Sequence, residues 1–149
     1  MNQLELQIAT TATNLPSSAQ FQTWIDASLA DQSHVFEVVI RLVDEAESAQ
    51  LNQEYRGKTG ATNILSFEFE VPEGVPLNLL GDLVICAPLV EKEAAEQHKS
   101  VEHHWAHLVI HGVLHLRGYD HIDESEAEEM EVKEIEILQQ LHISNPYQE

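Results

Sequence analysis

The chain has 149 residues, of which 43% are hydrophobic, so we expect a single folded domain spanning residues 1–149 rather than a disordered chain. Seven lysines and arginines face 26 aspartates and glutamates, for a formal net charge of −19, which disfavours nonspecific attraction to DNA or to an anionic membrane. The sequence has no run of 18 apolar residues, so it predicts no membrane-spanning helix.

The single cysteine indicates the redox compartment. Cys86 lies within an apolar run, has no second cysteine to pair with, and is expected to be a buried, inert thiol. Residues 1–12 show no basic start followed by an apolar stretch, so no signal peptide is predicted. Both features favour a reducing compartment, and we predict a cytoplasmic protein.

The first half of the chain shows strand and helix patterns in turn. Apolar residues at every second position predict strands at residues 4–8 and 36–42, and Ser17 with Gln20 forms a capping box that opens a helix between them. A second helix is expected from Asp44 to about Arg56. Strands are then predicted at residues 65–69 and 79–86, separated by a loop at residues 71–78 that contains proline and glycine.

The second half is predicted to be helical. A short helix is expected at about residues 90–97, a longer one from His103 to Arg117, and a last one capped by Ser125 and Glu128. The last helix would face the core through the apolar stripe Met130, Ile137, Leu138 and Leu141. This order of elements predicts an α/β (α+β) fold, with a single layer of about four mixed strands packed by helices.

Histidines are concentrated near the end of the longer helix. His111 and His115 are four positions apart, so both project from one helix face. Gly118 can adopt positive φ, end the helix and reverse the chain, which would return His121 to the same place. Three imidazoles suit zinc and leave its fourth position open. We therefore predict one zinc ion held by His111, His115 and His121, at the end of the His103 to Arg117 helix.

Histidines at this spacing do not always bind metal. Two histidines four apart on a helix are more often surface or core residues than ligands, and His103 and His107 continue the same series. The downstream turn and third histidine select His111 and His115, so His103, His104 and His107 are predicted not to be ligands, although His107 lies on an adjacent part of the same face.

The spacing is also similar to that of metzincin peptidases, which place a glutamate directly after the first histidine. Gly112 occupies that position here, so the general base of a peptidase is missing. The pattern thus predicts the metal site without the apparatus for peptide hydrolysis.

A second group of residues combines glycine with basic side chains. Residues 55–63 read YRGKTGATN and join a predicted helix to a predicted strand. The planar fork of Arg56 suits phosphate or carboxylate. A cation is equally expected at a helix C-terminus, because the helix dipole favours it there. Spacing alone leaves both interpretations open.

Together these segments resemble a known family. The sequence HGVLHLRGYDH at residues 111–121 matches the H-G-x-L-H-L-x-G-Y-D-H signature of the YbeY family of bacterial rRNA-maturation endoribonucleases. The resemblance extends to residues 55–58, 62–67 and 80–85, and so covers the chain from about Leu42 to Glu129. The chain departs from the family at Thr59 and Ala61, where aspartate and proline are usual, so no role of that aspartate is transferred.

The resemblance implies a function and roles for individual residues. It implies a zinc-dependent, single-strand-specific endoribonuclease that acts in 3′ end maturation of small-subunit rRNA and in ribosome quality control. It also implies that His111, His115 and His121 are the ligands and that Arg56 is functionally critical.

The expected mechanism is metal-dependent hydrolysis of RNA. Zinc would activate water, or the ribose hydroxyl would attack instead, and Arg56 would bind the scissile phosphate. Asp120 or Tyr119 would at most orient a ligand or a water. Two alternatives stay open: a zinc hydrolase of a peptide or amide bond, suggested by the metzincin-like spacing, and a nonenzymatic metal-binding factor in ribosome assembly, suggested by the acidic surface.

The negative charge opposes RNA binding at long range. RNA binding therefore requires that the acidic segment from Asp123 to Glu136 point away from the metal and that basic residues gather near it, the candidates being Arg41, Arg56, Lys58 and Arg117. The expected partners are rRNA and the small ribosomal subunit, reached through a basic ribosomal protein that docks on the acidic helix. A solvated helix face that only keeps the protein soluble is the simpler interpretation.

Overall fold

The computed structural model describes residues 1–68, 78–119 and 123–147. These residues form a four-stranded sheet and five helices, which confirms the predicted α+β class. The elements are β1 (Gln3–Ala9), α1 (Ser18–Ser28), β2 (Glu37–Val43), α2 (Glu45–Arg56), β3 (Ile64–Glu68), β4 (Leu79–Cys86), α3 (Ala87–Glu96), α4 (Val101–Leu116) and α5 (Glu124–Gln140). Most of the loop predicted at residues 71–78, and position 69 of the third predicted strand, lie outside the described residues.

The sheet is mixed, as the sequence predicts. Its strand order is β1-β2-β4-β3, with β1, β2 and β4 parallel to one another and β3 antiparallel to β4. Parallel neighbours need a crossover, and helix α1 supplies it between β1 and β2. Strand β3 therefore lies at one edge of the described sheet, directly after the loop that follows α2.

Successive side chains of β4 pack on opposite faces of the sheet. Leu83 and Ile85 join the main core with α1, α4 and α5, whereas Val84 and Cys86 face a smaller cluster that includes Leu51 of α2. Successive strand residues point to opposite faces, so helices cover this sheet on both sides. The almost continuous apolar run of β4 follows from burial on both faces.

Helix α4 crosses the sheet at very close range. A Cβ added at Gly112 would lie 2.7 Å from a methyl carbon of Leu83 and 2.8 Å from one of Ile64. Position 112 is therefore directed at the sheet, and the helix can approach this closely because it carries no side chain there. In the part of the chain that the structure describes, no helix combines the length and the apolar character needed to cross a bilayer.

The helix ends test the predicted caps. Ser17 and Gln20 form the predicted capping box of α1. Gly118 has φ +98, and the amides of Gly118 and Tyr119 bond the carbonyls of His115 and Leu114, as in a Schellman motif.

The predicted cap of α5 was wrong by two residues. Asp123, not Ser125, is the N-cap, and its side chain accepts a hydrogen bond from the amide of Glu126. Both positions have a glutamate three residues later, and the aspartate comes first along the chain.

Gly81 of β4 lies very close to the backbone of the neighbouring strand β3. It has φ +152, and an added Cβ would lie 2.3 Å from the carbonyl oxygen of Phe67 and 2.7 Å from Leu116. The carbonyl belongs to β3, so it cannot retreat without disturbing the pairing of β3 with β4. Gly81→Ala should lower the free energy of unfolding by about 2 kcal/mol or more in denaturant titration. Gly60→Ala is the control, because Gly60 also has positive φ but has open space around it. Equal losses in the two variants would mean that the contact with Phe67 is not the cause.

Candidate metal centre

The last two turns of α4 bring two predicted ligands together. The Nε2 atoms of His111 and His115 are 3.2 Å apart, and both side chains are partly exposed. Two nitrogen ligands of a tetrahedral zinc ion, each at about 2.0–2.1 Å from the metal, lie about 3.3 Å from each other. The two histidines therefore fit a shared ion, as their four-residue spacing predicts.

The third predicted ligand, His121, lies outside the described residues. Gly118 lies three positions before His121. The Schellman motif at this glycine ends α4 and turns the chain away from the helix direction. The assignment of His121 as a ligand stays a prediction, and so does the three-histidine set.

A buried carboxylate supports His111 from the other side of its ring. Glu134 of α5 is fully buried. One carboxylate oxygen bonds Nδ1 of His111, and the other lies 3.1 Å from Nε2 of His107 and also accepts from the hydroxyl of Tyr147. Burial alone would raise the pKa of Glu134, but the hydrogen bonds from His107, His111 and Tyr147 outweigh it and lower this pKa to about 2. The side chain is therefore an ionised acceptor.

This arrangement specifies the tautomer of His111. A carboxylate can only accept hydrogen bonds, so Nδ1 of His111 carries the proton and Nε2 keeps its lone pair. That lone pair is on the side of the ring near His115. A carboxylate bonded to the remote nitrogen of a histidine is the usual arrangement around metal-binding histidines.

A second set of residues could also hold a metal ion. His107, His111 and Glu134 each place one possible ligand atom within 4.8 Å of the others. Nδ1 is the ring nitrogen of His111 that bonds Glu134, whereas Nε2 lies near His115, so the two sets overlap at a single ring. The structure is compatible with a metal ion at this end of α4.

The other histidines of α4 have different surroundings. His104 is buried, with its Nε2 3.0 Å from a carboxylate oxygen of Glu93 in α3. Burial lowers the pKa of His104, and the neighbouring Glu93 offsets part of this effect. This pair belongs to the packing of α3 on α4. His103, in the first turn of α4, is exposed.

Arg56 lines the same cleft as the two histidines. It is the last residue of α2, which ends because Gly57 adopts the left-handed conformation with φ +66. The cleft has a volume of about 650 Å³ and is lined by α2, β3 and α4, including Tyr55, Arg56, His111 and His115. The structure therefore brings Arg56 and two predicted ligands to one cavity.

The loop between α2 and β3 is tied back to α2 by two buried polar side chains. Ser48 bonds both the carbonyl and the amide of Thr62, and Asn52 donates to the carbonyl of Gly60. These bonds hold the backbone on either side of Ala61. They do not involve the side chains of Thr59 or Ala61, the two positions that depart from the family pattern.

The basic residues gather less than expected. Arg41 pairs with Glu47, and Arg117 bonds Asp31 and the carbonyl of Ser28. Among the described residues that line the cleft, Arg56 is the only one of the four basic candidates. The expectation that several cations surround the metal was therefore wrong for Arg41 and Arg117.

The structure describes one of the two residues given a minor role. Asp120 lies outside the described residues. Tyr119 packs against the main core, with the guanidinium of Arg117 5.5 Å from the centre of its ring.

Comparison with known proteins identifies the family. Residues 5–142 match the family described as Endoribonuclease YbeY. The chain belongs to the YbeY family. A relative of that name from Methylococcus capsulatus is 63% identical over 149 residues, covering 100% of this chain and 97% of the relative. Another from Colwellia psychrerythraea is 57% identical over 150 residues, covering 98% of this chain and 97% of the relative.

A solved structure is similar as well. The solution structure of a Thermotoga maritima protein matches this fold with a TM-score of 0.57 and 25% identity, covering 97% of this chain and 100% of that one. The sequence comparisons therefore establish the YbeY family, and the solved structure shares the fold.

Sequence reasoning missed Glu134. The residue lies four positions after Met130 and three before Ile137, on the apolar stripe that faces the core. A glutamate within such a stripe was a usable signal, since a carboxylate on a core face must find donors. Its partners come from α4 and from the segment after α5, so the sequence alone could not identify them.

Metal analysis tests the predicted ligand set. Replacing His111, His115 or His121 by alanine should each reduce bound metal well below one ion per chain, because each removes one ligand. His103→Ala is the matched control on the same helix and should keep its metal. The readout is metal content by mass spectrometry after gel filtration. Full occupancy in all three variants would exclude this set.

Proposed function

We propose that this member of the YbeY family is a zinc-dependent endoribonuclease that cleaves single-stranded RNA, acting in 3′ end maturation of small-subunit rRNA and in ribosome quality control. The observation that carries the proposal is the cleft shared by Arg56, His111 and His115. Related proteins from two organisms are named endoribonucleases. Cys86 is buried and unpaired, which fits work in the reducing cytoplasm.

Each part of the cleft has a role in this reaction. His111, His115 and His121 would hold the zinc ion. When bound, zinc would supply an activated water and polarise a phosphoryl oxygen. The guanidinium of Arg56 would bind the scissile phosphate through two parallel hydrogen bonds and offset the charge that builds up on it. Its position at the end of α2, beside a tied loop, keeps it at the cleft that the two histidines also line.

Two aromatic side chains favour a single-stranded substrate. Tyr55 is 65% exposed, and its ring meets Phe67 edge to face with centroids 5.2 Å apart. Both line the cleft that contains Arg56. Stacking of a base on an aromatic ring contributes about 1–3 kcal/mol, and it requires a base that is not paired in a duplex.

The alternative of a peptide or amide hydrolase fits the structure poorly. In the metzincin pattern the residue after the first histidine is the general base, and here that position faces Leu83 and Ile64 in the sheet. A side chain at residue 112 would collide with Leu83 and Ile64, so the packing of α4 on the sheet excludes a glutamate there. The second alternative is a nonenzymatic factor in ribosome assembly. It differs from the proposed enzyme in that replacement of Arg56 would abolish no RNA cleavage.

Arg56 should act in catalysis and not in folding. Arg56→Ala should lower RNA cleavage about 100-fold or more, while metal content is retained and stability changes by less than about 1 kcal/mol. Arg56→Lys should recover little, because a lysine lacks the planar fork. Lys58→Ala, an exposed cation in the following loop, is the control and should cleave normally. The measurement is cleavage of a single-stranded rRNA-precursor fragment with and without chelator. Normal cleavage by Arg56→Ala would remove this residue from the mechanism.

We also infer a docking role for the acidic side of α5. Glu124, Glu128 and Glu131 are exposed, while Met130, Ile137 and Leu138 on the opposite side are buried in the core. The exposed carboxylates form a surface that would repel an RNA backbone and attract a basic protein of the small ribosomal subunit.

Neutralising Glu124, Glu128 and Glu131 to glutamine should have two opposite effects. Affinity for a short rRNA fragment should rise because repulsion falls, and affinity for small subunits should fall because the complementary surface is lost. Both changes should shrink at higher salt, which screens exposed charges. Binding assays at two salt concentrations measure them. Unchanged binding to subunits at low salt would leave α5 as a solvated face.

A further inference from the structure

Glu134 is a charged residue in the interior of a very acidic protein. Removing a carboxylate from water is costly unless donors surround it. Glu134 has a relative exposure of 0%, and its two oxygens accept from three side chains, namely His107, His111 and Tyr147. The chain thus places two imidazoles and a phenol around one carboxylate.

These three contacts come from different parts of the chain. His107 and His111 lie one turn apart on α4, and Tyr147 follows α5 near the end of the described residues. Tyr147 has a relative exposure of 44%, yet its hydroxyl is directed inward to Glu134, 3.3 Å from Nε2 of His107. Glu134 is therefore held on one oxygen by His107 and Tyr147, which leaves the other oxygen committed to His111.

We propose that Glu134 is a positioning residue for the metal centre. By accepting from Nδ1 of His111 it fixes the tautomer and orientation of that ring, so that Nε2 faces the ion together with His115. His107 and Tyr147 act one step further out, by fixing the carboxylate. The inference rests on the ligand set of the proposed function, but it concerns metal affinity and does not require RNA cleavage.

The geometry favours this role over direct ligation by Glu134. Both of its oxygens already accept hydrogen bonds, one of them from Nδ1 of His111. If Glu134 and His107 were ligands, Nε2 of His111 would be directed away from the ion, although it lies 3.2 Å from Nε2 of His115.

The test measures zinc affinity and the absorption spectrum of the cobalt-substituted protein. Glu134→Gln should weaken zinc binding about 10- to 100-fold in chelator competition, because the neutral amide is a poorer acceptor for Nδ1–H. It should also shift the cobalt bands, because the ligand field of His111 changes. Tyr147→Phe should weaken zinc binding less, by about 2- to 5-fold. Glu136→Gln, at an exposed position two residues after Glu134 on α5, is the matched control and should change neither readout.

Each outcome decides the inference. Circular dichroism shows first whether each metal-free variant folds; if Glu134→Gln does not fold, Tyr147→Phe takes its place. Wild-type affinity and spectrum in the folded variants would overturn the proposal. It would also be overturned if His107→Ala and Glu134→Gln abolished metal binding as fully as His111→Ala while His115→Ala kept the metal, since His107, His111 and Glu134 would then be the ligands. If the wild-type protein cleaved no RNA but the variants still changed zinc affinity as expected, the proposed function would be wrong and the role of Glu134 would stand.

Discussion

The close contact between α4 and the sheet sets the position of the other functional parts. One side of α4 is buried against Leu83 and Ile64, and the absence of a side chain at Gly112 lets the helix come within van der Waals range. His111 is the preceding residue and emerges at the margin of this contact, beside the edge strand β3. A side chain at residue 112 would lift the helix and move His111 away from Arg56. Packing density and site geometry thus depend on the same residue.

Much of this arrangement could be predicted because it is local. Alternating apolar residues identified the strands, and the spacing of His111, His115 and Gly118 identified one helix face and the end of that helix. Ser17 and Gln20 identified a cap through contacts within one turn. In each case the interacting residues are close in sequence, so periodicity and turn chemistry are sufficient.

The rest depends on contacts between distant segments. The position of Glu134 within an apolar stripe showed that something unusual must surround it, but its donors come from α4 and from Tyr147. The pairing of Arg117 with Asp31 removed a cation from the expected cluster, and nothing near either residue in the sequence indicates that pairing. The start of α5 was misassigned because Asp123 and Ser125 both satisfy the same short pattern, and only the fold selects one of them.

Charge is better judged near the cleft than over the whole chain. The net charge of −19 is distributed over a surface on which Arg41, Arg117 and Lys133 are paired with carboxylates. At physiological ionic strength exposed charges are screened within about 8 Å, so charges close to Arg56 act on it more strongly than distant ones. The cleft combines one arginine with an exposed glutamate, Glu68, so affinity for RNA would depend on the metal and on stacking as well as on charge.

The bond between Glu134 and His111 has a consequence for the order in which the protein matures. The two residues are 23 positions apart and lie on different helices, so their contact forms only after α5 has docked on α4. In small zinc domains the ion drives folding of an otherwise unfolded chain. Here the hydrophobic core includes α1, α4 and the sheet without help from the metal-binding side chains. Metal acquisition would therefore come after tertiary structure, and a loaded chain would be one whose last helix is already in place.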